Sequence, residues 1–171
     1  MRPVFLWVGL AAATAIYFAS QEDKPEFLRE GLARMKALFS TPYDQLIEES
    51  ALSAGVDSTV LWNLLYAESR FRPDIIDGRK KSHVGAMGIA QFMPATAREW
   101  LGSEAAALDP QIAIPGAARY LGWLQRRLGS TDAAVAAYNW GIGNVQRKGL
   151  KAAPAETVAY VKAITGTDIT A

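Results

Sequence analysis

From Tyr43 onward, apolar residues recur three and four positions apart in short blocks, and glycines, prolines and capping residues separate the blocks. This pattern limits the chain to short helices, because helical neighbours lie three and four apart whereas a strand face repeats every second residue. Tyr43, Leu46, Ile47, Ala51 and Ala54 form one stripe that stops at Gly55. Asp57 and Ser58 are placed to cap a helix from Thr59 to about Arg70. Residues 71–88 carry Pro73, Gly78, Gly85 and Gly88 and read as a loop. Pro94 can open a helix to Leu101 that Gly102 ends. Asp109-Pro110 starts a long one that ends at Gly129. Thr131 and Asp132 cap a short helix reaching Tyr138 and Asn139. Residues 141–149 read as a turn with room for one helical turn, and Pro154 opens a last helix, Ala155 to Ile164, ended by Gly166. No stretch alternates as a strand would, so the predicted fold class is all-α.

Length and composition narrow the chemistry. A chain of 171 residues, half of them hydrophobic, suits one compact domain with short additions. A formal net charge of +1 points away from nucleic acid. The absence of cysteine excludes a disulfide framework and thiolate metal sites, and a single histidine, His83, excludes a Ser-His-Asp triad or a multi-histidine metal centre. We expect no metal and no cofactor.

The amino terminus reads as a separate segment. An apolar run from Pro3 to Ala19 follows Arg2 and precedes the polar Gln21-Glu22-Asp23-Lys24. The run is at the short end of a bilayer span. A cleaved signal would carry small residues at its end. Tyr17 and Phe18 stand there instead, and the Ala13–Ala15 pair lies inside the run, so an uncleaved membrane anchor is the favoured reading over a removed signal or a buried helix of a larger assembly. Residues 25–39 follow as an amphipathic helix, with Leu28, Leu32, Met35 and Phe39 on one side. The expected organisation is a hydrophobic segment over 1–20, a linker helix over 21–42, a main domain over 43–166 and a tail over 167–171.

One carboxylate breaks the pattern of its helix. Leu61, Leu64 and Leu65 share an apolar face, and the next position on that face is Glu68. A carboxyl at the end of a hydrophobic stripe is costly when charged, and burial raises its pKa, the condition a general acid near neutral pH requires. The alternative is a helix-end glutamate that turns to solvent or pairs with Arg70 or Arg72. Glu48 and Glu49, by contrast, fall on the polar side of their helix.

The residues around it carry a resemblance. Glu68-Ser69 is followed by Phe71 and Pro73, then by Ser82-His83-Val84-Gly85-Ala86-Met87-Gly88-Ile89-Ala90-Gln91-Phe92-Met93-Pro94-Ala95-Thr96-Ala97. Ala136-Ala137-Tyr138-Asn139-Trp140-Gly141, Gly143-Asn144-Val145 and Glu156-Thr157-Val158-Ala159-Tyr160-Val161 come later. In this order and spacing the motifs resemble the soluble-lytic-transglycosylase family, over about residues 43–164. The resemblance implies a lysozyme-like, all-α fold and cleavage of the β-1,4 bond between N-acetylmuramic acid and N-acetylglucosamine in peptidoglycan. It implies Glu68 as the catalytic acid and base, with Ser69 structural at the helix end. It places Ser82 near the substrate's N-acetyl group, Gln91 along the cleft, the Tyr138 hydroxyl near the glutamate with Asn139 beside it, and Tyr160 either closing the cleft or in the core. Family members act without a second carboxylate. The substrate's own groups replace it, and a 1,6-anhydro product results.

Three departures stand out. Ala90 replaces a methionine, which would open the cleft floor. Trp140 stands where a small residue is common, as a sugar-stacking surface or as core. The loop from Asp74 to Lys81 is long and made basic by Gly78-Arg79-Lys80-Lys81, as a solvated loop or a contact for peptide-stem carboxylates. Two rival functions remain on the sequence alone: a hydrolytic muramidase with Asp74 or Asp77 as its base, and an idle cell-wall-binding or virion structural protein. The expected setting is the bacterial envelope, anchored at the inner membrane, or a secretion apparatus or virion.

Overall fold

The computed structural model describes residues 40–80 and 82–170. The expected anchor over 1–20 and the linker helix up to Phe39 lie outside the described residues, as does Lys81. Among the described residues no helix is long and apolar enough to cross a membrane.

Among the described residues eight α-helices run in order: α1 (Asp44–Ala54), α2 (Ser58–Ser69), α3 (Pro73–Ile76), α4 (Pro94–Leu101), α5 (Pro110–Leu128), α6 (Thr131–Trp140), α7 (Ile142–Lys148) and α8 (Ala155–Thr165). Short 3₁₀ turns at Ala105–Leu108 and Leu150–Ala152 link α4 to α5 and α7 to α8. Local chemistry sets most of the boundaries. Asp57 accepts hydrogen bonds from the N–H groups of Thr59 (2.8 Å) and Val60 (3.0 Å), satisfying donors that the first turn of α2 leaves unpaired. Asp109 does the same for Gln111 ahead of α5.

Three expectations are corrected in detail. The cap of α6 is Ser130, whose oxygen accepts from Ala133 N–H and whose extended backbone (φ −150°) precedes the helix, while Thr131 and Asp132 are already helical. The 71–88 loop contains the single turn of α3, and the helical turn expected within 141–149 lengthens to the seven-residue α7.

The long α5 packs against α1 and α6, and α8 packs against α6 and α2. Gly122 permits the first of these contacts: a Cβ there would come within 2.8 Å of the Ala54 carbonyl oxygen at the end of α1. The core runs through Ile47, Leu61, Leu64, Leu65, Ile89, Phe92, Ile114, Leu121, Leu124, Val135 and Val161, all essentially inaccessible to solvent. Each such side chain contributes about 1.5–3 kcal/mol from burial. The three leucines of α2 therefore fix the rotation of that helix and, with it, where its last turn points.

Candidate active site

Glu68 stands in the last turn of α2, one turn beyond the buried leucines, and is half-buried. The chain leaves the helix abruptly behind it. Ser69, fully buried, donates its hydroxyl to the Leu65 carbonyl (3.0 Å) and accepts from Phe71 N–H (3.2 Å). Arg70 and Phe71 both take left-handed conformations, with φ of 53° and 51°, an unusual pairing for residues other than glycine. The turn carries both nearby arginines elsewhere. Arg70 lies over the Tyr66 ring, 5.1 Å from its centroid, and Arg72 pairs with Asp74 at 2.6 Å. The ion pair that would have made Glu68 an ordinary surface glutamate is thus absent among the described residues.

Its partner is instead Tyr160 of α8, whose hydroxyl donates to Glu68 Oε1. Burial pushes the Glu68 carboxyl up from 4.5 to about 7, against the smaller opposing effect of the tyrosine hydrogen bond. The charged form loses more hydration than one phenol returns. Burial, and the charge of Glu68 beside it, hold the Tyr160 phenol well above its ordinary value, so it remains a donor at any physiological pH.

A tight reverse turn packs beside α6 through Tyr138. Met87 and Phe92 exchange two backbone hydrogen bonds of 3.0 Å, enclosing Gly88, Ile89, Ala90 and Gln91. Gly88 (φ 72°) is required, since a Cβ there would fall 1.7 Å from the Ala107 carbonyl oxygen. Gln91 is left-handed (φ 48°), and its Nε2 donates to the Gly88 carbonyl at 2.8 Å. Ala90 is fully buried, and its carbonyl accepts the Tyr138 hydroxyl at 2.9 Å. Both tyrosines lie near the glutamate. Tyr160 touches the glutamate, while Tyr138 pins the turn to α6 and lies close enough that the Glu68 charge, after burial, raises its phenol pKa. Phe92 and Tyr120 pack on the Tyr138 ring at centroid distances of 6.3 and 5.4 Å.

The remaining expected residues divide. Asn139 is exposed, and its Oδ1 accepts from the Thr157 hydroxyl at 2.8 Å. Trp140 is half-buried against the core, and Lys148 covers it with Nζ 5.4 Å from the ring centroid, leaving less of the ring for a sugar. Ser82 accepts from Val84 N–H at 3.3 Å in an exposed turn, and no hydrogen bond joins it to Glu68, Gln91 or Tyr138 among the described residues. Thr157, buried and one turn before Tyr160, is the site neighbour that sequence reading passed over. The signal for it was its place on the Tyr160 face of α8. Among the described residues no three His, Asp or Glu side chains gather as a metal-holding cluster.

A helical domain in which a half-buried glutamate ends a leucine stripe and accepts from a phenol on a helix remote in sequence invites comparison with known proteins. The family model of the transglycosylase SLT domain matches residues 45–160, more than half of the chain. The chain belongs to that family. It is 34% identical over 116 residues to the peptidoglycan transglycosylase gp16 of Escherichia phage T7, a match that covers 64% of this chain and spans only about 8% of that protein's length. Its fold is similar to that of an inactive mutant of lytic transglycosylase Slt from Pseudomonas aeruginosa, with a TM-score of 0.62 at 21% identity, over 90% of this chain and 28% of that one. This likeness places the all-α architecture in the lysozyme-like fold of that enzyme.

Proposed function

We propose that this chain is a peptidoglycan lytic transglycosylase in which Glu68 is the only acid and base. The observation that carries the proposal is the state of Glu68: half-buried, raised to about 7 and, among the described residues, hydrogen-bonded through one oxygen only, to Tyr160. A carboxyl with that pKa is protonated in a large fraction of molecules near neutral pH, and its conjugate base is basic enough to take a proton back. With Oε1 held by Tyr160, Oε2 is the oxygen that carries the transferable proton.

Glycosidases ordinarily need two carboxyls. The two other acids near the end of α2 are poor candidates for the second. Asp74 is hydrogen-bonded and paired with Arg72, which holds it below the usual carboxylate range, and Asp77 is held down by the Arg79 backbone N–H and then by its side chain. One acid group suffices if the substrate supplies the rest. Glu68 protonates the glycosidic oxygen as the C1–O bond breaks, and the acetamido carbonyl of N-acetylmuramic acid stabilises C1. The Glu68 carboxylate then accepts the proton of the 6-hydroxyl, whose oxygen bonds to C1 and displaces the acetamido oxygen. The strand ends in a 1,6-anhydro sugar, no water is consumed, and Glu68 is again protonated. Gln91, Asn139, Ser82 and Trp140 are the proposed substrate contacts, and Tyr138 holds the Gln91 turn in place.

Mass spectrometry of digested sacculi tests this. Muropeptides lighter by one water than muramidase products, and inert to borohydride, are expected. Reducing ends alone would reject the transglycosylase reading and return a water-using muramidase.

A further inference from the structure

α8 presents a second polar side chain on the face that carries Tyr160. Thr157 precedes Tyr160 by one turn, is 2% exposed, and donates its hydroxyl to Asn139 Oδ1 at 2.8 Å. Helical hydroxyls commonly bond back to the carbonyl four residues earlier, as Ser69 does to Leu65 and Thr165 to Val161. Thr157 cannot follow them within α8, because Ala153 lies before the helix begins. Its proton goes to Asn139 instead.

That direction has a consequence. A carboxamide has one acceptor oxygen and one two-proton donor nitrogen. With Oδ1 committed to Thr157, Nδ2 is the end left over, and it has no acceptor among the described residues although the residue is exposed. The position is not an arbitrary stretch of surface. Asn139 follows Tyr138, which is tied to the Ala90 carbonyl beside Gln91, and Thr157 stands one turn from the phenol that holds Glu68.

We infer that Thr157 is a positioning residue that fixes the Asn139 carboxamide with its NH₂ toward the substrate, as a donor for the acetamido carbonyl of an N-acetylated sugar. The inference rests on the glycan-cleaving function proposed above. A neutral amide donor suits a neutral carbonyl, and the acetamido group is the carbonyl that such a strand repeats at every ring. Thr157 does not touch the substrate. It decides whether Asn139 offers a donor or an acceptor, which is a choice the exposed amide, if free to flip, would make poorly.

The test uses the full chain carrying Glu68→Gln, so that ligand is bound without turnover, and two probes: the tetramer of β-1,4-linked N-acetylglucosamine and its fully deacetylated counterpart. Thr157→Val keeps the shape and removes the proton. Affinity for the acetylated tetramer is expected to fall about five- to tenfold, the worth of one oriented hydrogen bond, with affinity for the deacetylated tetramer unchanged. Thr157→Ser restores the parent value. Asn139→Asp loses the outward donor and falls as far, and Thr157→Val added to it changes nothing further. Parent-like affinity in a folded Thr157→Val protein overturns the inference, as does an equal loss for both probes that Ser does not restore. Should Thr157→Val not fold, Asn139→Asp decides, since it keeps the buried hydroxyl's partner: unchanged affinity there is equally fatal. If the native chain neither clears peptidoglycan nor shows any tetramer binding, the glycan-cleaving function falls as well. If it clears and binds but the variants leave affinity unmoved, only this inference falls.

Discussion

The end of α2 and the loop that follows it place three carboxyls within ten residues and treat them in opposite ways. Glu68 has no arginine partner among the described residues, is half-buried and is pushed up to about 7. Asp74, partly exposed, and Asp77, exposed, each two residues from an arginine that pairs with it, are held below the usual range. Arg70 and Arg72 are as near in sequence to Glu68 as Arg72 is to Asp74 and Arg79 to Asp77, or nearly so. What separates them is backbone. The left-handed pair Arg70-Phe71, closed by the two hydrogen bonds of Ser69, turns the chain so that both arginines leave the glutamate behind. Acid strength here follows from where the helix stops, not from which charges are nearby in the sequence.

The largest expected effect comes from removing the proton on the buried side of this comparison. Glu68→Gln keeps the shape and the Tyr160 contact but cannot donate or accept a proton. Turbidity clearing of purified peptidoglycan should fall by about a thousandfold or more, with circular dichroism unchanged. Substantial clearing by the folded variant would dissolve the contrast between Glu68 and the two aspartates.

The same substitution should stabilise the protein, and the effect depends on pH. The folded carboxyl, at about 7, binds its proton more tightly than the unfolded one at 4.5. The folded state therefore holds the extra proton between those values, and stability declines as pH rises through that window. The full decline is on the order of 3 kcal/mol, reduced by solvent screening on the open side of the residue. Glu68→Gln lacks this term. Urea midpoints of the two proteins should nearly coincide near pH 4 and separate progressively to pH 8, the variant being more stable. Parallel curves across that range would mean that Glu68 is solvated after all.

The contrast also shows which parts of the molecule a reader of the sequence can see. Glu68 was visible because it violates a local rule, a charge continuing the face of Leu61, Leu64 and Leu65. The ends of α2 and α5 were visible because Asp57, Asp109 and Gly129 act on neighbours within four residues. The start of α6 was misplaced because Ser130, Thr131 and Asp132 are all good caps, and only the extended backbone of Ser130 selects among them. α7 offers only Ile142 and Val145 as an apolar signal between two glycines, too little to show a period. The bond from Tyr160 to Glu68 spans 92 positions and that from Thr157 to Asn139 spans 18. No local pattern encodes either one, because each depends on how α8 packs on α2 and α6.

A smaller effect should sharpen the picture on the Glu68 side. The Tyr160 hydrogen bond is the one influence that lowers the Glu68 pKa. Tyr160→Phe removes it while keeping the ring, so the carboxyl should rise further, by about one pH unit for one hydrogen bond to a charged group. Activity that depends on protonated Glu68 should then persist to higher pH: the alkaline limb of the clearing rate moves upward, even if the maximal rate falls. An alkaline limb that stays in place would show that Tyr160 only packs.

The smallest effects belong to the loop. Asp74→Asn and Asp77→Asn each remove one carboxylate from an exposed ion pair, 2.6 Å in one case and 2.7 Å in the other. Such pairs contribute roughly 0–1 kcal/mol, and neither aspartate forms a hydrogen bond to Glu68 among the described residues. Asp77 also accepts from Arg79 N–H, a turn contact that asparagine can keep through its oxygen. Clearing rates should therefore stay within about twofold of the parent, a change far below what loss of a general base brings, and the anhydro ends should persist. The two variants must be read against Glu68→Gln in the same assay. A loss approaching that of Glu68→Gln in either aspartate variant, accompanied by reducing-end products in the parent, would make that residue the base for an attacking water. The arginine pairing would then be a resting arrangement that substrate displaces, and the opposition between a raised acid and two ionised bystanders would become the two-carboxyl machinery of a muramidase.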